Sequence, residues 1–488
     1  MRLYHNAAIS PNGNLKRFPR DSGAKRRLPL YLIGIDRDKT KIVRSGILKS
    51  FSISRLKEKL GAIGWAVLLI FLAQRVGDAL NLVAGLWLVP KYVPEHDLGS
   101  LKVLEQLGAV IGVPVAILAT PFTKLLNTHA ARGELGKAKA LMRDAFIASA
   151  LALALAALLS ALALPLILAR WNIGNGRLAM LVIASGALGA LLPIFNGAMQ
   201  AMKRFKTYSV ISLISAPVRF ATLLVTLPFR GLTGYFAGQS SGSVVVIAAA
   251  VWSFFKGFGR GIKREKYWRE DRAVFIAFLI PLAIAHVAGA LRGTAEMTMI
   301  QYLPGNDSAA YYILSRFTDI VGYIIAPLTF VIFPVFSERH ETGEDTLKTM
   351  IRAMFFCVAV GAALGLALNL FGARLLSLHH LWRPYAEYSG LFALLSVKNG
   401  LAFAFSCFAL RELASRRFLY AYFTAALAYI ETAAIYALGK SPFFASMRLR
   451  EVLLAHLALP VVFFIYSIAV LAARRRQSQK TLYGQNRI

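Results

Sequence analysis

Arg75, Arg219, Arg292, Arg316 and Lys398 each sit inside a run of apolar residues long enough to cross a bilayer. A basic side chain at mid-bilayer costs about 2.5–3.5 kcal/mol on insertion scales, so five without partners would cost on the order of 15 kcal/mol. Each must therefore face an acid, an anionic ligand or water. Spacing supplies acids for three of them. Asp78 lies one turn after Arg75, Asp319 one turn after Arg316 and Glu296 one turn after Arg292, offsets that bring side chains together on one helix face. Glu105 stands in the same relation to Lys102. Arg219 and Lys398 have no acid within a turn, and Glu431 is an acid with no local cation that could serve either. Lys124 and Arg374 lie near span ends and can snorkel. Such pairs can fix helix packing or line a hydrated cavity. Guanidinium groups bind phosphate bidentately and ammonium groups bind it as point charges. A cavity lined by the five cations favours an anionic substrate, such as a lipid-linked pyrophosphate, over a cationic drug. An acid in a dry cavity has its neutral form favoured, which makes Asp78, Glu296 and Asp319 candidates for ion coupling.

The elements that must position these residues follow from composition. The 488 residues are 57% hydrophobic and only 16% charged, with a mean hydropathy of +0.57. Apolar blocks of roughly 20 residues exceed the length of core strands and ordinary core helices. The chain reads as a polytopic α-helical membrane protein with twelve spans, near 62–90, 99–125, 144–169, 178–202, 208–229, 235–255, 274–302, 309–335, 353–376, 387–410, 418–439 and 451–472. The net charge of +32 is explained for the most part by topology. The apolar content excludes a disordered basic protein and argues against a nucleic-acid binder. Basic residues cluster in alternate loops, as in Lys203, Arg204 and Lys206, and in both terminal tails. The positive-inside rule then puts both termini in the cytoplasm, with a basic tail over 1–60 lying against anionic headgroups.

The spans repeat. Tyr92, Pro94 and Asp97 recur as Tyr302, Pro304 and Asp307, and Gly133-Glu134 recurs at the same offset as Gly343-Glu344. Pro114 and Pro121 have counterparts in Pro327 and Pro334, and Asn196-Gly197 in Asn399-Gly400. Six spans per half is an even number, so the halves enter the membrane in the same direction, as parallel repeats. The expected division is 1–60 tail, 61–256 first lobe, 257–473 second lobe and 474–488 tail, around a central cavity. Gly108 and Gly112 are expected at close helix contacts.

Cys357 and Cys407 both fall inside spans and imply no disulfide framework. The histidines show no metal-ligand spacing, and His379-His380 reads as a loop pair. No phosphate-binding Gly-rich loop, nucleotide fingerprint or nucleophile elbow is present, so neither catalysis, metal nor cofactor is expected. Short outer loops argue against a polysaccharide polymerase or ligase, although His379, His380 and Arg383 share one of them.

The stretch from Arg316-Phe317-Thr318-Asp319 to Phe333-Pro334-Val335-Phe336-Ser337, with Gly343-Glu344, Asn196-Gly197 and the segment Gln200 to Lys206, resembles the multidrug/oligosaccharidyl-lipid/polysaccharide (MOP) export superfamily. The nearest branch is the polysaccharide-biosynthesis flippases of the O-antigen type, and the likeness covers roughly 62–472. That resemblance implies movement of polyprenyl-pyrophosphate-linked oligosaccharide between leaflets of the cytoplasmic membrane, driven by an ion gradient or the membrane potential. It implies membrane lipids and a polysaccharide polymerase as partners, and no nucleic acid. Arg75, Arg292 and Arg316 match positions of cavity charges in the family, Arg219 and Lys398 less closely. The alternative within the superfamily is a cation-coupled multidrug or small-solute antiporter. The two extra C-terminal spans of the lipid II flippases are absent, and the basic tail exceeds the family norm.

Overall fold

The computed structural model describes residues 68, 71–170, 176–202, 204–257, 263–303, 307–341, 345–438 and 447–485. The basic segment 1–60, Pro304 and Gly343-Glu344 lie outside the described residues. Residues 56–488 form one compact unit.

The unit is helical, with no strand among the described residues. Helix α1 runs over 71–92, with a π-helical turn at Ala84–Leu88 and a last turn at Val89–Tyr92. Helix α2 comes in two segments, Glu95–Ile111 and Val113–Ala131, bent by 51°. The bend has a local cause. Pro114 has no N–H to give to the preceding turn, so the ladder is interrupted at Gly112. Then follow α3 (Leu135–Arg170) and α4 (Gly176–Ala201). The helical stretch Phe205–Gly257 is two helices, α5 (205–230) and α6 (232–257), because Gly231 takes φ 49°, ψ −126° and reverses the chain. Only glycine adopts that conformation at no steric cost. Thr226 of α5 donates its hydroxyl to the Gly234 carbonyl of α6, closing the hairpin at 2.7 Å.

The second half repeats the order. Helices α7 (Trp268–Gln301), α8 (Asp307–Glu341) and α9 (Leu347–Ser377) lead through a 3₁₀ turn at Arg383–Leu391 to α10 (Phe392–Ala414). Helices α11 (Leu419–Leu438) and α12 (Leu449–Gln485) complete it. Among the described residues, seven helical stretches are each long and apolar enough to cross a bilayer, and the bent α2 pair makes an eighth. One of the seven is the α5–α6 hairpin. Helices α1, α8 and α11 complete the twelve-helix arrangement. Leu151, Leu162 and Leu166 of α3 and Phe371 of α9 are exposed, as lipid-facing side chains must be.

Helix pairs within each half approach backbone to backbone. A Cβ on Gly186 of α4 would collide with the Gly108 carbonyl of α2, and one on Gly400 of α10 would meet the Cys357 carbonyl of α9 at 2.9 Å. The expectation that Gly108 marks close packing holds, and small residues are how membrane helices reach such contact.

The halves meet along α2. Its first segment packs on α8 and the end of α7, and its second segment packs on the start of α7. On the face opposite the basic loops, four bonds close the seam between halves. Tyr312 donates to the Gly85 carbonyl (3.2 Å), Trp382 to the Leu86 carbonyl (2.5 Å), Tyr385 to Glu95 (2.9 Å), and Gln301 to Ser100 (3.1 Å). On the basic-loop face, α2 and α4 stand apart from α8 and α10 around a cavity of about 300 Å³ lined by Thr123, Asn196, Thr329 and Phe333.

Candidate functional site

The π-helical end of α1, the first segment of α2, the α5–α6 hairpin and α8 converge on one charged cluster. Arg316 of α8 reaches across the seam to Glu105 of α2 at 2.5 Å. It also meets Asp319 at 3.4 Å, the pair expected from spacing. Lys102 lies 3.6 Å from Glu105 and 4.0 Å from Asp319. The Arg316 guanidinium stands over the Tyr312 ring, 4.8 Å from its centroid.

A directed hydrogen-bond chain extends from this cluster. Arg219 of α5 donates to the Gln239 side-chain oxygen (3.0 Å). The Gln239 amide donates to the Tyr235 hydroxyl (2.7 Å), and Tyr235 donates to Glu105. Arg219 is thus joined to Arg316 through α6 and α2, although none of its own atoms touches an acid.

Arg75 and Asp78 pair at 2.9 Å, as the spacing predicts, with Arg75 over the Phe71 ring. Asp78 lines a cavity of about 220 Å³ with Gln74, Asn81, Ser212, Ser215 and Arg219. Arg219 also lines a larger cavity of about 680 Å³, with Glu105, Gln239 and His286 at its polar positions and Gly112, Gly189 and Gly289 on its walls. A third cavity, about 90 Å³, lies between Arg219, Tyr235, Arg316 and Tyr323. Arg219 is common to all three.

The second half holds its charges differently from the spacing rule. Arg292 does not pair with Glu296. Its Nε donates to Glu431 of α11 at 2.5 Å, and Glu431 accepts a second bond from His456 of α12 at 3.0 Å. Glu296 instead receives Lys398 of α10. The reason is geometric. Side chains one turn apart can meet, but Arg292 finds its partner on α11, which packs against α7, and Lys398 reaches Glu296 of α7 from α10, whose own packed neighbours include α8 and α12. Lys398 and Glu431 therefore acquire partners that local spacing did not supply.

The balance of charge is informative. The acids Asp78, Glu105, Glu296, Asp319 and Glu431 each have a cation within 4.0 Å. Among the described residues, Arg219 is the one of the five expected cavity cations left without an acid within 4.0 Å. Of the five cations expected to line a cavity, four are held in ion pairs and one is in surplus. The residues that sequence reasoning missed are Tyr235, Gln239 and His456. Tyr235, Gln239 and Ser243 recur every four residues along α6, a polar stripe visible in the sequence. His456 had no such signal.

Among the described residues no group of three His, Cys, Asp or Glu side chains is placed to hold a metal. His379 and His380 stack on each other in their loop, centroids 4.5 Å apart. Cys357 and Cys407 are both buried and free, their sulfurs 3.8 Å apart between α9 and α10.

Comparison with known proteins places this geometry. Residues 112–340 match the model of a family described as polysaccharide biosynthesis protein. No curated protein matches the chain. Solved structures match it at low identity and high coverage. An inward-facing multidrug resistance MATE family transporter of the MOP superfamily superposes with a TM-score of 0.63 at 12% identity, over 84% of this chain and 99% of that one. A Vibrio cholerae MATE transporter mutant gives 0.59 at 15% identity, over 87% and 98%. A MOP superfamily transporter from Pyrococcus furiosus gives 0.55 at 13% identity, over 84% and 96%; its structure was described as having a binding pocket of reverse polarity that suggests a different function. The chain has the fold of these transporter structures, and the match over 112–340 agrees with the resemblance to polysaccharide-biosynthesis proteins read from its sequence.

Proposed function

We propose that this chain is a carrier that moves a polyprenyl-pyrophosphate-linked oligosaccharide across the cytoplasmic membrane by alternating access, with both termini cytoplasmic. The observation that carries this reading is Arg219. It is a guanidinium whose own atoms touch an amide but no acid, and it is shared by three adjoining cavities between helices of a MOP-type bundle. A half-buried cation in surplus calls for an anion. The match over 112–340 to a polysaccharide biosynthesis family supplies the class of anion: the diphosphate of a sugar carrier lipid.

The diphosphate enters from the basic-loop face, where α2 and α4 stand away from α8 and α10. Arg219 binds it. The Nε atoms of Arg75 and Arg316 lie buried without acceptors and are further donors within the same region. An anion beside Arg316 competes with Glu105 for it. Weakening that pair loosens a tie between the halves, so substrate binding shifts the balance towards the arrangement open on the other face. Asp78, Glu296 and Asp319 are the proposed coupling acids. Each is held as the partner of a cation, and protonation of any one frees that cation for substrate.

The cation-coupled drug antiporter is the weaker reading. A site for cationic drugs needs an acid without a cation, and none of the five described membrane acids is in that state.

The test is transport of labelled polyprenyl-pyrophosphate oligosaccharide between leaflets of liposomes holding the purified protein. A hydrogen bond to a charged group is worth about 1.5–3 kcal/mol, so Arg219→Gln should slow transport roughly tenfold to a hundredfold. Normal transport by folded Arg219→Gln overturns the site. Movement of cationic dyes, with no movement of the lipid by wild type, hands the case to the antiporter.

A further inference from the structure

On the basic-loop face the seam between the halves is held by a histidine. His129, at the end of α2, is 1% exposed. Its Nδ1 lies 2.7 Å from Glu134 in the α2–α3 turn, and its Nε2 lies 2.7 Å from Asp271 on α7. An imidazole that meets a carboxylate at each nitrogen donates through both, and it can do so only as the cation. We propose that His129, Glu134 and Asp271 form a proton-binding site whose occupancy latches the α2–α3 turn of the first half to α7 of the second.

The surroundings support a built site. Tyr267, one turn before Asp271, donates to Asp144 of α3 at 2.9 Å and sets its ring edge-on to His129, 6.3 Å away. Phe122 of α2 packs on Phe275 of α7 with centroids 5.1 Å apart. The Glu265 amide donates to the Gly136 carbonyl at 3.4 Å. The charged and titratable groups around the histidine are Glu134, Lys137 and Arg132 from the α2–α3 connection, Asp144 from α3, and Asp271 and Tyr267 from the α7 side. Lys137 lies 3.8 Å from Glu134, on the side away from the ring. The hydrogen bond from His129 holds the Glu134 carboxyl below its ordinary range, and burial pushes the Tyr267 hydroxyl up. Neither changes charge between pH 5.5 and 8.5.

The sign follows from lone pairs. Without the proton, one ring nitrogen presents its lone pair to a carboxylate oxygen at 2.7 Å, and the two repel. The latch is therefore closed on the acid side and released as pH rises. The inference is independent of the substrate, because it concerns the seam and not the cavity.

Spin labels on Arg143→Cys of α3 and Arg269→Cys of α7, both exposed sites, report the seam by pulsed EPR distance measurement on the full chain in nanodiscs at pH 5.5 to 8.5. The expected result is a short-distance population that falls as pH rises and becomes pH-independent in His129→Gln. A population unchanged across the range, or the same change persisting in His129→Gln, overturns the latch. If His129→Gln does not fold, Asp271→Asn replaces it. Removing one carboxylate should move the transition to lower pH, and an unmoved transition overturns the proposal equally.

Discussion

The connection from α2 to α3 and the connection from α8 to α9 occupy equivalent places in the two halves, and they are fastened by different chemistry. The first uses His129 between Glu134 and Asp271, and the acid it reaches belongs to the other half. The second uses arginine. Glu412, 3% exposed at the end of α10, receives Arg474 of α12 through both oxygens, one at 2.6 Å, with Arg411 3.6 Å away. Arg411 in turn donates to Thr346 in the α8–α9 connection at 2.9 Å. The arginine clamp ties elements of one half through guanidinium groups, a charge that arginine always carries. The proposed histidine latch ties elements of different halves through a side chain whose charge rests on one proton. If the chain works as the carrier proposed above, with rocking halves, a fixed clamp suits the inside of a moving body and a releasable one suits the seam between bodies.

The largest effect should come from breaking the clamp. Glu412→Ala leaves Arg474 and Arg411 facing each other in a buried site, and removing one partner of a buried pair costs about 3–5 kcal/mol. A lowered thermal unfolding midpoint in detergent checks it, and an unchanged midpoint would mean that the clamp carries no stability. A smaller loss is expected from Asp271→Asn, which keeps a hydrogen-bond acceptor and removes one charge. A hydrogen bond to a charged group is worth about 1.5–3 kcal/mol, and the retained acceptor keeps the loss at or below the lower end of that range, read by the same melt. The comparison sharpens with His129→Arg. A permanent cation in the latch should abolish the pH dependence of the seam while the melt changes little. If pH dependence survives, the titrating group lies elsewhere. The smallest effect is a difference in acid sensitivity. Glu134 is held below its ordinary range, so its contribution is complete above that range and is lost as pH falls through the lowered value. The α2–α3 connection should therefore loosen at both pH extremes. Hydrogen exchange of its amides against those of 345–347 should show two transitions and one.

Most of the architecture was legible in sequence, because a membrane span advertises itself by length and apolarity. Even the α5–α6 hairpin, which turns at Gly231, shows in the sequence as two spans. The site was half legible. Arg75–Asp78 and Arg316–Asp319 follow from helix spacing. The cross-helix pairs Arg316–Glu105, Arg292–Glu431 and Lys398–Glu296 do not, since which helices become neighbours is a tertiary fact. The consequence was an overcount of available cations. Five arginine and lysine side chains looked ready for substrate, and pairing leaves Arg219 in surplus. His129 escaped notice for a similar reason: its second carboxylate is 142 residues away.

The chain has two cysteines, and both are buried between α9 and α10, away from either seam. A maleimide or a thiol-reactive spin label applied to the native protein should find almost nothing to modify. The wild-type sequence is thus close to a ready-made silent background for site-directed labelling. Every distance and accessibility measurement across the seam can begin from the unaltered protein, without the two replacements that would otherwise disturb the tight α9–α10 contact.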